Sequence, residues 1–134
     1  MKKIIAIIII ALSFSARSQS ISPVSGNTDV VIGQNGSITI GGVLRGSIVN
    51  NVIKNAQDVV IGSITDDGTI KNANNVLVGT FNDMYEVKNS SNVVIGYMTS
   101  TLDVMNSAQV NLGKFPEQSP MIWSAVAYFF FDLN

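Results

Sequence analysis

Residues 58–81 read DVVIGSITDDGTIKNANNVLVGTF, and one pattern occurs twice within them. A valine-rich run that ends in Gly62 is followed 17 residues later by a second run that ends in Gly79. Glycines continue at this spacing toward the C-terminus, and two earlier ones precede the series at intervals of 16 and 13 residues. The series is Gly33, Gly46, Gly62, Gly79, Gly96 and Gly113. Recurrence at a fixed period is typical of proteins built from structural repeats.

A second set of positions recurs with the same period. An aliphatic residue is followed two positions later by asparagine, giving Asn55, Asn72, Asn89 and Asn106. Five units follow from the two sets, with the half unit DVVIG at 29–33 in front of them. The units are Ile38–Ile48, Ile53–Ile64, Ile70–Phe81, Val87–Met98 and Val104–Phe115.

Each unit predicts two short strands joined by turns. Apolar residues such as Val59 and Ile61 alternate with other positions, which is the period of a β-strand. The segments between the runs are rich in Asp, Asn, Gly and Ser, the residues that turns prefer. No segment of the repeat leaves room for a helix, so the sequence predicts an all-β fold of antiparallel hairpins.

The recurring glycines and asparagines favour structural roles. Glycine inside a strand indicates a close approach of the backbone or a sharp bend, and an asparagine side chain can bond the backbone of a turn or stack with its counterparts. Residues that differ between copies are better candidates for recognition. Those that follow the glycines are Ser63, Thr80, Tyr97 and Lys114.

Two architectures suit such a repeat: a closed flower of hairpins and a β-solenoid. Lys54, Lys71 and Lys88 occupy equivalent positions, and a solenoid would stack them about 4.8 Å apart as a like-charge ladder. A ring spreads them around its rim. Five units with an extra half unit also suit a ring whose first strand pairs with the last unit. We therefore expect the closed flower, with the solenoid as the alternative.

The stretch GSITDDGTIKNANNVLVGTF at 62–81 resembles the β-flower repeats of exported bacterial proteins, which are similar in style to MORN repeats. The resemblance covers roughly residues 29–131 and implies a five-fold ring of short hairpins with an envelope location. It implies no activity and no catalytic residues. The shortened first unit, Ile38–Ile48, departs from the pattern.

The N-terminus has the features of a cleaved export signal. Lys2 and Lys3 precede the apolar run 4–12, and Ala16-Arg17-Ser18 offers small residues for cleavage. The run is shorter than the roughly 20 apolar residues that span a bilayer, so we expect no stable membrane span after cleavage. The chain has no cysteine, which argues against a lipoprotein. We expect a periplasmic or extracellular protein.

Cleavage before Gln19 would remove three of the eight basic residues and leave five against nine acidic ones. Such a balance argues against nucleic acid as a partner. We divide the chain into a signal peptide (1–18), an N-terminal lead (19–28), a hairpin repeat domain (29–115) and an apolar C-terminal segment (116–134).

The C-terminal segment is expected to fill the axis of the ring. Ser119-Pro120 is a favourable helix start, with Ser as N-cap and Pro as first helical residue. Aromatic and β-branched residues in 121–131 favour a strand instead, so both remain open. Apolar residues on every side of the segment predict burial. The alternative is an exposed Phe129-Phe130-Phe131 patch for docking a membrane or partner.

The sequence offers little for catalysis. It contains no histidine and no cysteine, which removes the usual base at neutral pH, the thiol nucleophile and nearly all zinc sites. We expect Asp66 and Asp67 to be solvated turn residues, and we assign no partner to Asp58 or Asp103. Neither a metal nor another cofactor is expected.

We therefore expect a non-enzymatic structural or interaction module of the bacterial envelope, binding an unknown protein or glycan. An alternative is a self-assembling fibre or adhesin subunit, and an oligomer is possible in either case. A more distant alternative is a carbohydrate-binding module that stacks sugars on Trp123 or Tyr97, although core packing suits both residues better.

Overall fold

The computed structural model describes residues 27–131, which form a β-sheet and one short helical segment. The predicted export signal, most of the N-terminal lead and residues 132–134 lie outside the described residues. The strands are β1 (Val30–Ile32), β2 (Ser37–Ile40), β3 (Val43–Val49), β4 (Val52–Asn55), β5 (Val60–Ile64), β6 (Thr69–Asn72), β7 (Leu77–Phe81), β8 (Glu86–Asn89), β9 (Val94–Met98), β10 (Asp103–Asn106) and β11 (Asn111–Lys114). They are followed by α1 (Met121–Ala125), which continues as a π-helix (Val126–Phe130).

The strands form one antiparallel sheet in which each strand pairs with its neighbours in the sequence, from β1 to β11. Each predicted unit is one hairpin, and the half unit at 29–33 supplies the extra strand β1. The predicted all-β flower is thus confirmed, and the solenoid alternative is wrong. Lys54, Lys71 and Lys88 lie on β4, β6 and β8, so an intervening strand separates them by about 10 Å and no ladder forms.

The expected pairing of the first strand with the last unit is wrong for the described residues. β1 pairs with β2, in the register Val30 to Ile40, and β11 pairs with β10 alone. The other edge of β1 and the outer edge of β11 have no strand partner among residues 27–131. Other hydrogen bonds hold the two ends instead: the Gln34 side-chain Nε2 donates to Gln118 Oε1, and the Asn27 backbone N–H donates to the carbonyl of Tyr128 at 2.6 Å.

Antiparallel strands place the turns at two ends of the ring, here called the first and second rims. The first rim carries the turns that follow even-numbered strands: 41–42, 56–58, 73–75, 90–92 and 107–109. The second rim carries the turns that follow odd-numbered strands: 33–36, 50–51, 65–68, 82–85 and 99–102.

The C-terminal segment fills the axis of the ring, and it is a helix. Pro120 and Met121 adjoin turns of the second rim, whereas Phe131 adjoins residues of the first rim. Residues 124–128 are buried, as are Phe130 and Phe131, while Phe129 is partly buried against the core. The alternative interpretation, in which Phe129, Phe130 and Phe131 form an exposed docking patch, is therefore wrong.

The helix begins one residue later than predicted. Pro120, with φ −56° and ψ 133°, is the N-cap residue, and the first turn has no side-chain cap. Its extended ψ keeps Pro120 outside the helix, so Ser119 is not the N-cap. The Trp123 N–H donates to the carbonyl of Pro120 at 3.0 Å and closes the first turn.

Candidate functional site

The recurring glycines make room for the aromatic residues on the axis. A Cβ added to Gly46, Gly79 or Gly96 would lie within 2.6 Å of a ring carbon, far inside the usual 3.5–4.0 Å carbon contact. Four consecutive residues each face one glycine: Tyr128 faces Gly113, Phe129 faces Gly96, Phe130 faces Gly79 and Phe131 faces Gly46. These glycines therefore belong to the framework. The Tyr128 hydroxyl also donates to the carbonyl of Lys114 at 2.9 Å.

The recurring asparagines hold the turns of the first rim. In each case Oδ1 accepts the backbone N–H groups of the second and fourth residues that follow. Asn89 Oδ1 accepts from Ser91 at 2.9 Å and from Val93 at 3.1 Å. The same pair of bonds occurs at Asn55, Asn72 and Asn106. These side chains are occupied by the backbone and are poor candidates for ligand contact.

A third recurring contact links neighbouring hairpins at the second rim. A residue with positive φ turns its carbonyl toward the next repeat, where a backbone N–H at or next to the end of an odd-numbered strand donates to it. The Met98 N–H donates to the carbonyl of Tyr85 at 2.9 Å, for example, and Tyr85 has φ 64°. The other pairs are Ile48 with Gly36, Ile64 with Asn51, Phe81 with Gly68 and Phe115 with Leu102. Sequence patterns did not identify this position because its residue type changes from repeat to repeat.

The structure places the predicted recognition residues on the outer wall of the ring. Ser63, Thr80 and Tyr97 are half-buried there, directly opposite Lys71, Lys88 and Met105 on the neighbouring strands. They lie on four different strands with Lys114 and do not form a pocket. Lys114 Nζ is 2.7 Å from Asp103 Oδ1, so Lys114 is engaged within the protein.

A cleft of about 810 Å³ opens at the second rim beside the start of α1. The turns 65–68 and 82–85 form its polar side, with Asp66, Asp67 and Asp83, while Met121 and Ile122 form its apolar side. Tyr85 also lines it and is 48% exposed. Carboxylates beside an exposed aromatic ring are suited to binding hydroxyl-rich or cationic molecules.

The carboxylates of the second rim are held by local hydrogen bonds. Asp67 Oδ1 accepts from the Thr65 hydroxyl and from the Thr69 N–H, and these bonds, that of Thr65 foremost, lower the pKa of Asp67. Asp66 and Asp67 are exposed turn residues, as the sequence predicted. Within residues 27–131 no three Asp or Glu side chains come close enough together to hold a metal ion.

Two other carboxylates have partners that the sequence did not predict. Lys114, and then Thr101 and Asn111, hold the pKa of Asp103 at about 2, below its ordinary 3.8. Asp58 Oδ1 lies 3.5 Å from Lys54 Nζ in an i,i+4 arrangement. The Lys54–Asp58 pair is exposed and contributes little to stability.

The most prominent surface feature was not predicted. Aliphatic side chains that the sequence placed in alternating strands are exposed around the first rim. A β-bulge, such as the one between Val60 and Gly62, interrupts the pairing near the beginning of β3, β5, β7, β9 and β11 and turns these side chains outward. We call this set the apolar rim: Val43, Leu44, Val59, Val60, Val76, Leu77, Val93 and Val110, each 39–60% exposed. The sequence signal was a valine after each first-rim turn, followed in four of the five repeats by a second aliphatic residue. Alternation alone cannot place both residues of such a pair inside.

No helix among the described residues combines the length and the apolar character needed to cross a bilayer. Comparison with known protein families gave one match: the family model described as "5-fold beta-flower protein" matches residues 18–132. No curated protein and no solved structure matches the chain.

Proposed function

The chain belongs to the 5-fold beta-flower protein family, and from this premise we propose that it is a non-enzymatic interaction module exported to the bacterial envelope. As a member of that family it is a small repeat protein. One observation carries the proposal: the recurring glycines and asparagines are engaged within the framework, whereas Ser63, Thr80, Tyr97 and Lys114, which differ between copies, lie on the outer wall. Repeat proteins commonly bind partners through such variable surfaces on a constant frame.

Export is supported by the N-terminal sequence. The family match begins at residue 18, which is where the positively charged and apolar leader ends in the sequence. The proposed location is therefore the periplasm or the exterior, with cleavage before Gln19. A partner of protein or glycan type would meet the outer wall or a rim.

The proposal is tested by cell fractionation combined with site-specific photocrosslinking. A photoreactive residue replaces Tyr97 on the outer wall or Met84 on the second rim, with Val87, which is fully buried, as the control position. We expect the protein in the exported fraction, starting at Gln19 by mass spectrometry, and crosslinks from the exposed positions. An intact N-terminus in the cytosol, or crosslinking equally strong from position 87, would contradict the proposal.

A glycan is a second candidate ligand, favoured by the cleft in which Tyr85 lies beside Asp66, Asp67 and Asp83. Sugar rings stack on aromatic side chains while carboxylates accept their hydroxyl protons. The Tyr85→Gly variant removes the aromatic ring on which a sugar would stack. It also relieves the positive φ of 64° at this residue, a conformation that costs a non-glycine residue about 1–2 kcal/mol. A glycan-array signal should disappear in this variant although its stability is kept or raised. Gln109→Gly, which relieves φ 64° at the opposite rim, should leave binding unchanged.

Self-assembly is a third candidate. β1 and β11 each have a strand partner on one side alone within the described residues, and unpaired edges are templates for adding strands. Concentrated protein that gives thioflavin-positive fibres would favour this function over a soluble module. A monodisperse peak in size-exclusion chromatography over the same concentration range would exclude it.

A further inference from the structure

The apolar rim and the second rim differ in composition. Turns of the first rim contain small and uncharged residues, except for Asp58, and aliphatic side chains stand between them. Exposed aliphatic residues that are gathered at one end of a protein, and not scattered singly, mark a site of contact with another molecule. The second rim carries the cleft, the acidic turns and the beginning of α1. The two ends of the ring therefore present chemically different surfaces.

Basic side chains accompany the apolar rim in a regular way. The cross-strand partner of Lys54 is Val60, that of Lys71 is Leu77, and that of Lys88 is Val94. Directly opposed residues on one face of a sheet have Cβ atoms about 5 Å apart, so each lysine lies beside an aliphatic residue of the first rim. The long alkyl chain of lysine can extend along such a surface and present its ammonium group at the edge.

Charge is divided between the two halves of the ring. Even-numbered strands run from the second rim to the first, so a lysine in the third position of a four-residue strand lies toward the first rim. Four of the five described basic residues are in that half: Arg45, Lys54, Lys71 and Lys88. Six of the eight described acidic residues are in the other half: Asp66, Asp67, Asp83, Glu86, Asp103 and Glu117. An anionic surface would attract the first end and repel the second.

We infer that the first rim docks on the surface of an anionic lipid bilayer, with the apolar rim in the headgroup region and Lys54, Lys71 and Lys88 near lipid phosphates. Aliphatic side chains bounded by lysines are the combination with which proteins lie on membranes without crossing them. The inference rests on the proposed function, because it names the envelope surface that an exported module would meet. It commits to lipid and not to a second copy, since a second copy would bring two basic ends together.

Both ends of the described chain are at the docking end. Asn27 donates to the carbonyls of Ala127 and Tyr128 near the C-terminal end of the axial helix, and Phe131 lies in a notch with Val43 and Leu44 at the first rim.

The test is sedimentation of the exported protein with vesicles, its N-terminus verified by mass spectrometry. Phosphatidylcholine vesicles containing phosphatidylglycerol should bind the protein, pure phosphatidylcholine vesicles should bind it more weakly, and added salt should reduce the difference. The matched substitutions are Lys71→Gln at the docking end and Lys114→Gln at the opposite end. We expect Lys71→Gln to lower the partition coefficient roughly fivefold and Lys114→Gln to leave it unchanged. The triple variant at Lys54, Lys71 and Lys88 should lower it roughly a hundredfold.

Orientation is tested separately. The natural chain has no cysteine, so a polarity-sensitive fluorophore can be attached at one introduced cysteine. With anionic vesicles the label on Val76→Cys should shift to the blue, and the label on Met84→Cys, at the second rim, should not. A comparable shift at both positions, or none at position 76, contradicts the inference.

Three other outcomes also overturn the docking inference. The first is equal binding of the protein to neutral and anionic vesicles, and the second is an equal fall in the partition coefficient for Lys71→Gln and Lys114→Gln. The third is a protein that binds no vesicles and forms a dimer that Val59→Ser and Val76→Ser abolish. None of these changes where the protein is exported or whether positions 97 and 84 crosslink. Failure of the docking inference can therefore be told apart from failure of the proposed function.

Discussion

The ring of Phe129 rests on the backbone of Gly96, at the position where any other residue would carry its Cβ. A Cβ there would be within 2.6 Å of Phe129 ring carbons and 2.6 Å from the carbonyl oxygen of Met105. The glycine is therefore required both by the axial aromatic residue and by the neighbouring strand. The glycine recurs in the sequence because this packing requires it, and no ligand contact is needed to explain the recurrence.

Replacing Gly96 with alanine should destabilise the protein by about 3 kcal/mol, since overpacking of a rigid core costs roughly 1–3 kcal/mol and here two neighbours must shift. Urea unfolding followed by circular dichroism measures the change. Ser63→Ala, on the outer wall, should stay within about 0.5 kcal/mol of the natural protein. In a Phe129→Ala background the cost of Gly96→Ala should be smaller, and additive costs would show that the two residues are not coupled.

The turns of the first rim should depend on the asparagine side chains. Asn89→Ala removes an acceptor shared by Ser91 and Val93, and we expect a loss of about 1–2 kcal/mol in the free energy of unfolding. Asn89→Asp keeps an oxygen in the same place and should recover most of the loss. Equal losses in the Ala and Asp variants would show that Oδ1 is not what holds the turn.

Asp103 should contribute to the acid sensitivity of the fold. Its pKa is about 2 in the folded protein and 3.8 ordinarily, mainly because of Lys114. A carboxyl with a depressed folded-state pKa stabilises the protein above its unfolded-state pKa, and this stability is lost as the pH falls from about 4 to 2. Thermal melts of Asp103→Asn should therefore lose less stability than the natural protein over that range. NMR titration of Lys114→Gln should show the Asp103 pKa moving back up. If the melting temperature of Asp103→Asn falls as much as that of the natural protein over this pH range, the prediction is contradicted.

Ser124 is fully buried on the axial helix, and its Oγ has no hydrogen-bond partner among residues 27–131. Burying an unsatisfied hydroxyl is unfavourable, so Ser124→Ala should leave stability unchanged or raise it by up to about 1 kcal/mol. Differential scanning calorimetry is the measurement, and Ser91→Ala, at an exposed turn, is the control. A marked drop in the melting temperature of Ser124→Ala alone would mean that Oγ has a partner in solution.

The hairpin repeat could be predicted because it is local. Alternation, turn residues and a constant period of 17 determine where Ile70 and Val87 lie relative to Gly79 and Gly96, and the structure buries them as inward-facing strand residues. The candidate recognition residues at 63, 80, 97 and 114 lie on the outer wall, and nothing in the pattern could bring them into one pocket. The structure spreads them around the wall.

The apolar rim could not be predicted from periodicity. Val59 and Val76 have the same residue type and spacing as core positions, yet each is 55% exposed. Whether an aliphatic residue faces inward there depends on the bulge that interrupts the ladder before the glycine. A shift of one residue moves a side chain to the other face of a strand.

The sequence by itself determined the repeat, its antiparallel hairpins and the burial of the aromatic C-terminus, because these follow from short-range pattern and hydrophobicity. The tertiary structure alone decided that the C-terminus is a helix and that Tyr128 to Phe131 each meet one glycine. It also decided that most of the exposed aliphatic and basic residues lie at one rim and most of the acidic residues at the other. Those features depend on the curvature and stagger of the sheet, which bring together residues far apart in the chain. A pattern read along the chain contains no information about that closure.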